Sequence, residues 1–225
     1  MYISRIKSLF NKATKKPYKI IIKTPLDEDI DLLEEIKEAK ALTKSELDNL
    51  LSLIKPEKDY VICLLAATCG LRIGEIIGLT WGDIDEVNSE LNVNKQWKRL
   101  KNGSFGFGTV KRKNSNRIVP IPQSTLSTLL KYKKNNPTDI KNRIFLDNRP
   151  QNASYRIYKK LNKRGLSVTL HDLRHTYATM LVASGVDFKT VAKFMGHDVE
   201  MTIKTYSHVT KDMIKRATDT VNFIF

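Results

Sequence analysis

The hydrophobic period of this chain changes twice, and that restricts its fold more than any other feature. Residues 58–69, "KDYVICLLAATC", are mostly apolar and are closed by Gly70, which reads as a buried helix; "LRIGEIIGLTWGDID" follows as a short helix and turn. The period then drops to two. "ELNVNKQW" alternates like a strand, and "FGFGTVKRK" and "RIVPIP" read as two more, with glycines and asparagines marking the turns. Helical spacing returns at about 123–136, 152–164, 170–184 and 187–195, with a short helix around 202–206. The expected fold is mainly α with a small inserted antiparallel β-sheet, an α+β arrangement.

The first forty residues read differently. Ile3, Ile6, Leu9 and Phe10 repeat at helical spacing in 2–14, "KKPYKIIIKTP" reads as an extended connector, and 26–40 reads as an acidic helix with an exposed face. Thr43 and Glu46 then have capping-box spacing ahead of an amphipathic helix. The expected division is a leftover helix and linker over 1–40 and a compact domain over 41–225.

Charge narrows the partner. The 225 residues carry a net +15, yet segment 26–40 alone is −5, which leaves +20 on the remainder. Such an excess fits a polyanion, most often nucleic acid, although a lysine-rich solvated surface is the plainer reading. Cys63 and Cys69 sit in the apolar run and are expected as buried thiols in a reducing compartment. No signal peptide is expected, and no apolar run approaches the ~18 residues needed to cross a bilayer, so the expectation is a cytoplasmic protein without membrane partners.

The chemistry gathers in a few places. "HDLRH" at 171–175 opens a helix with His171 and Arg174 three apart and so on one face, near a helix N-terminus that favours anions. Leu173, Tyr177, Met180 and Ser184 would form the inward face. A guanidinium fork and an imidazole suit a phosphate, while the plain alternative is a surface cluster with Asp172 capping the helix. Arg72 in "GLRIGE" has Glu75 three residues on, either as an ion pair alone or as a brace for a ligand-binding arginine. His197 follows a glycine in "MGHD", and Tyr206 comes nine residues later, where an isolated tyrosine is usually core or interface. Between Lys95 and Arg117 lie eight basic residues and no acids; Lys95, Lys98, Arg99, Lys101, Arg112, Lys113 and Arg117 are candidate phosphate contacts, and one lysine could serve as a proton donor. The histidines and cysteines lack a metal-ligand pattern, so no zinc site is expected.

Arg72 in "GLRIGE", His171 and Arg174 in "HDLRH", His197 in "MGH" and Tyr206 in "TYSHV" resemble, in order and spacing, the tyrosine recombinases, on their phage and transposon integrase branch. The resemblance covers about 41–215. It implies DNA strand exchange at double-stranded attachment sites through a 3′-phosphotyrosine, with Tyr206 as nucleophile and Arg72 and Arg174 on the non-bridging oxygens. His171 would assist proton transfer at the tyrosine, His197 would hydrogen-bond the phosphate and Glu75 would brace Arg72. The hairpin lysine, Lys111 with Lys113 as the second choice, would protonate the leaving 5′-oxygen. No cofactor is implied, because the phosphotyrosine conserves the bond energy. His175 and His208 match no family position, and their expected roles are structural or local hydrogen bonding. Family members carry a core-binding domain ahead of the catalytic one, of which residues 2–14 resemble the last helix. The tail residues Val221, Phe223 and Ile224 would dock on a neighbouring copy in a homo-oligomer, or fold back on their own core. Two other readings stay open: a type IB topoisomerase, and a non-catalytic DNA-binding accessory protein.

Overall fold

The computed structural model describes residues 2–15, 17–22, 41–55, 57–109 and 116–206, together with Thr218 and Val221. The chain forms two compact units, Met1–Glu38 and Ala39–Phe225. In the first, α1 spans Tyr2–Ala13. The segment after it was expected to be extended, but it turns back. Ile20 N donates to Ala13 O at 2.8 Å and Tyr18 N to Lys15 O at 3.1 Å, so the carbonyls at the helix end find donors in the following turn. The acidic segment 26–40 lies outside the described residues.

In the second unit, α2 (Lys44–Ser52) begins with the expected capping box: Thr43 N donates to the Glu46 carboxylate at 2.8 Å. Helix α3 (Glu57–Cys69) is buried on nearly every side, and it packs against α2, α4 (Ile73–Ile77), α5 (Gln123–Asn135) and α7 (Leu170–Ala183). An apolar helix of this kind exposes no polar face because it has no solvent side. Both its cysteines are buried free thiols, and burial raises the Cys69 thiol to about 12.

The strands form two small sheets rather than one. β1 (Ile84–Asp85), β2 (Glu90–Val93) and β5 (Arg117–Pro120) make an antiparallel sheet in the order β1-β2-β5, with Leu91 opposite Val119 and Val93 opposite Arg117. β3 (Lys95–Arg99) and β4 (Phe105–Thr109) form a separate hairpin. The run "ELNVNKQW" thus serves both sheets. Its alternation stays in phase, with Leu91, Val93 and Trp97 all buried, but it changes partner at Asn94. Trp97 meets the edge of Phe107 at 5.2 Å between ring centres and donates its indole N–H to Asn148 O at 2.9 Å.

After α6 (Pro150–Asn162), α7 leads to α8 (Phe188–Met195) and α9 (Val199–Tyr206). A second, smaller apolar cluster forms where these three helices meet, from Tyr177, Ala178, Val182, Val191, Met195 and Tyr206. The expected inward face of α7 holds at Leu173 and Tyr177, but Ser184 caps the helix and is exposed. Arg174 is buried among these apolar residues, 1 % exposed.

Candidate active site

Helix α7 begins at a capping box in which Thr169 N donates to the Asp172 carboxylate at 2.8 Å and Asp172 N to Thr169 Oγ1 at 3.2 Å. The capping role considered for Asp172 is therefore present, and it coexists with the cluster beside it. One turn on, Arg174 points inward. Its guanidinium donates to Gly70 O and Met195 O, and its Nη2 lies 3.0 Å from His197 Nε2. Burial, then the charge on Arg72, pulls Arg174 down to about 9, which leaves it charged at neutral pH.

Two glycines make these contacts possible. Gly70 has φ +62°, and a Cβ there would lie 2.4 Å from the Tyr177 ring; Gly196 has φ +59°, and a Cβ there would lie 2.9 Å from Arg117 Nη1. Both sit just past a helix end, where a left-handed residue reverses the chain. Gly196 caps α8, His197 N donates to Ala192 O at 3.0 Å, and the Gly196 carbonyl accepts from Arg72 Nη2 at 3.3 Å. The helix end thereby brings His197 and Arg72 to the Arg174 guanidinium.

Glu75 lies under the whole group. Its carboxylate accepts from Arg72 Nη1 at 2.9 Å and from Arg117 Nη2 at 2.8 Å, and stands 3.7 Å from Arg174 Nη1. Burial pushes this carboxyl up, but the hydrogen bond and charge of Arg117, with the charges of Arg174 and Arg72, outweigh it and hold the group at about 2. Glu75 thus serves three arginines, not Arg72 alone. Arg117 is a correction to the expected DNA contacts: its guanidinium is 1 % exposed and bound to Glu75, and its Nε donates to Phe194 O at 2.6 Å. The strand period carried that signal, since Arg117 shares a face with buried Val119 while Ile118 points outward at 51 % exposed.

His197 is held neutral. Burial, then the charges of Arg174 and Arg72, lowers it to about 3. Arginine only donates, so Nε2 accepts from Arg174 and Nδ1 carries the hydrogen. That Nδ1–H and Arg174 Nε–H are buried donors with no acceptor among the described residues. Buried donors of this kind, beside a half-exposed Arg72, can hold an anion.

Tyr206 closes α9 with its ring fully buried, and burial raises its hydroxyl to about 12. Its oxygen lies 2.6 Å from His175 Nδ1. His171, exposed on the first turn of α7, contacts the His175 ring edge-on at 4.4 Å between centroids. Burial lowers His171, and Arg174 lowers it further; burial and then His171 lower His175 to about 4. His175 was expected to be structural or to make local hydrogen bonds; it instead pairs with Tyr206 on another helix, a contact that no residue spacing announced.

On the hairpin, Lys95 is only partly exposed and forms an ion pair with Asp83, so it is not a free phosphate contact. Lys98 donates to Thr109 O at 2.7 Å, Arg99 Nε to Gly103 O at 3.3 Å, and Lys101 is exposed in the turn. Lys111, Arg112, Lys113 and His208 lie outside the described residues, as do Phe223 and Ile224; Val221 is exposed. Among the described residues no group of three or more His, Cys, Asp or Glu could hold a metal, and no helix is long and apolar enough to cross a membrane.

The fold and this cluster define a helical domain with two sheets and an arginine–histidine centre facing a buried tyrosine. The chain belongs to the phage integrase family, whose model matches residues 40–213. A tyrosine recombinase XerC-like protein of Caldanaerobacter subterraneus subsp. tengcongensis is 30 % identical over 98 % of this chain, and the match spans 64 % of that protein. The transposase of transposon Tn916 from Enterococcus faecalis is 30 % identical over 88 % of this chain and 53 % of its own length. This chain therefore spans between half and two thirds of the length of these relatives. Among solved structures, the Tn1549 transposon integrase in complex with transposon right end DNA superposes with a TM-score of 0.75 at 26 % identity, covering 96 % of this chain and 76 % of that one. The crystal structure of XerA recombinase shares the fold, with a TM-score of 0.63 at 24 % identity over 79 % of this chain and 64 % of its own.

Proposed function

We propose that this chain is the catalytic part of a site-specific DNA recombinase that cleaves and rejoins double-stranded DNA through a 3′-phosphotyrosine at Tyr206. The observation that carries the reading is the meeting of Arg72, Arg174 and His197 at one point, with two of their buried N–H donors lacking acceptors among the described residues. Arg72 and Arg174 hold the non-bridging oxygens of the scissile phosphate and stabilise the charge that grows there in the transition state; His197 donates to the same group. Glu75 and Arg117 keep these guanidiniums in place, so little reorganisation is needed during reaction. Attack by Tyr206 forms the O–P bond and releases the 5′-oxygen, which takes its proton from Lys111 or Lys113. No cofactor takes part. Arg99 and Lys101, with Lys98 beside them, contact the DNA backbone and add affinity without choosing sequence. The enzyme acts as a homo-oligomer on DNA, with the tail bearing Val221, Phe223 and Ile224 docked on a neighbouring copy, and residues 1–40 ending a separate DNA-gripping domain.

Covalent trapping tests this. Nicked duplexes from DNA flanking the gene are incubated with the native chain and with Tyr206→Phe, then run on denaturing gels. A DNA-linked band from the native chain alone is the expected result, and the number of chains per duplex in the native complex reads the oligomer. Tight binding with no band from the native chain would sink the enzymatic assignment and leave a DNA-binding accessory protein.

A further inference from the structure

We propose that His175, not His171, takes the hydroxyl proton of Tyr206 when the tyrosine attacks DNA. This rests on the recombinase reading above. Tyr206 is fully buried in the free chain, so its hydroxyl already sits against a protein group that can receive the proton leaving as the phenolic oxygen bonds to phosphorus. The acceptor in contact is His175 Nδ1, at 2.6 Å from the oxygen, which is within the reach a general base needs. His171, the residue expected from the family pattern, instead lies edge-on to the His175 ring.

The direction of the hydrogen bond follows from acidity. A phenol O–H is a stronger acid than a neutral imidazole N–H, so Tyr206 donates and Nδ1 accepts, which places the hydrogen of neutral His175 on Nε2. His175 sits among His171, Asp172 and Arg174 of its own helix, with Tyr206 on α9 and His197 beyond α8. Burial, then the charges of His171 and Arg174, outweigh the opposing carboxylate of Asp172 and keep the imidazole neutral, with its Nδ1 lone pair open to the hydroxyl. Because His175 follows Arg174 on α7, the residue that holds the tyrosine and the residue that holds the phosphate move as one rigid element.

The Tyr206 O–H bond breaks, its proton goes to His175 Nδ1, and its electron pair forms the O–P bond. The P–O5′ bond breaks with its electrons on the 5′-oxygen, which is protonated by the hairpin lysine. On religation each proton returns along the same route.

The test uses the full chain in single-turnover covalent trapping. His175→Leu removes the acceptor, whereas His175→Asn keeps an acceptor oxygen near the Nδ1 position but cannot take a proton. Both variants should bind DNA like the native chain and form phosphotyrosine about 100-fold more slowly. A substrate with sulfur at the 5′-bridging position, whose leaving group needs no acid, should rescue a Lys111 or Lys113 variant and leave both His175 variants slow. Cleavage by His175→Asn within about threefold of the native rate, or its rescue by sulfur, would overturn the assignment. No adduct from the native chain would remove the recombinase reading and this role with it. The hydrogen bond is read independently by ¹⁵N NMR of the free chain, where Tyr206→Phe should shift the His175 Nδ1 resonance; an unmoved resonance contradicts the pairing.

Discussion

Glu75 is the residue on which the site turns. One carboxylate meets Arg72 and Arg117 directly and lies near Arg174, so it faces two guanidiniums that are each 1 % exposed. Removing one member of such a cluster leaves uncompensated buried charge, so Glu75→Gln should cost about 3–5 kcal/mol of stability in urea unfolding. The acid dependence has a definite sign. The folded carboxyl lies at about 2 against an ordinary 4.5, so its contribution is fully present above 4.5 and is lost as pH falls towards 2. In Glu75→Gln that part of the acid slope should disappear, and an unchanged slope would contradict the ion cluster. The Arg72–Glu75 pair was legible from spacing alone, because residues three apart on a helix meet. The Arg117 contact spans 42 positions. Only the inward phase of its strand hinted that it belonged with the core rather than with the basic loop.

At the level of elements, the end of α8 matters most. Its left-handed Gly196 sets the direction of His197, presents a carbonyl to Arg72 and leaves room for Arg117. Gly196→Ala combines a strained φ with a Cβ pressed against a buried guanidinium, and should cost about 1–3 kcal/mol. Thermal melts would show the loss, and covalent trapping should fall more than stability alone explains. A variant that melts normally and cleaves normally would mean that the turn does not organise the site. Helix positions and types read well from the sequence because their capping residues and apolar periods are local. The strands read well in phase, since Leu91, Val93 and Trp97 alternate inward as expected. Their partners did not. Alternation says which face is buried and nothing about which strand lies alongside, so the switch at Asn94 from β5 to β4 was invisible.

Over the whole molecule, two kinds of charge serve different ends. The exposed excess on the hairpin should make DNA binding strongly salt-dependent, and charge removal at Arg99 and Lys101 should each lower the log–log salt slope by about 1. Fluorescence anisotropy across a salt series would measure it, and an unchanged slope would remove those residues from the DNA surface. Buried charge is the other kind, and no composition could separate the two. Length, period and capping signals determined the helical frame and the inserted strands, and the ordered motifs marked Arg72, His171, Arg174, His197 and Tyr206, because those features depend on near neighbours along the chain. Tertiary packing alone decided that Arg117 turns in to Glu75, that Lys95 is taken by Asp83, and that His175 rather than His171 meets the Tyr206 hydroxyl. Each is a contact between segments distant in sequence, chosen by which polar groups are buried together and must satisfy one another.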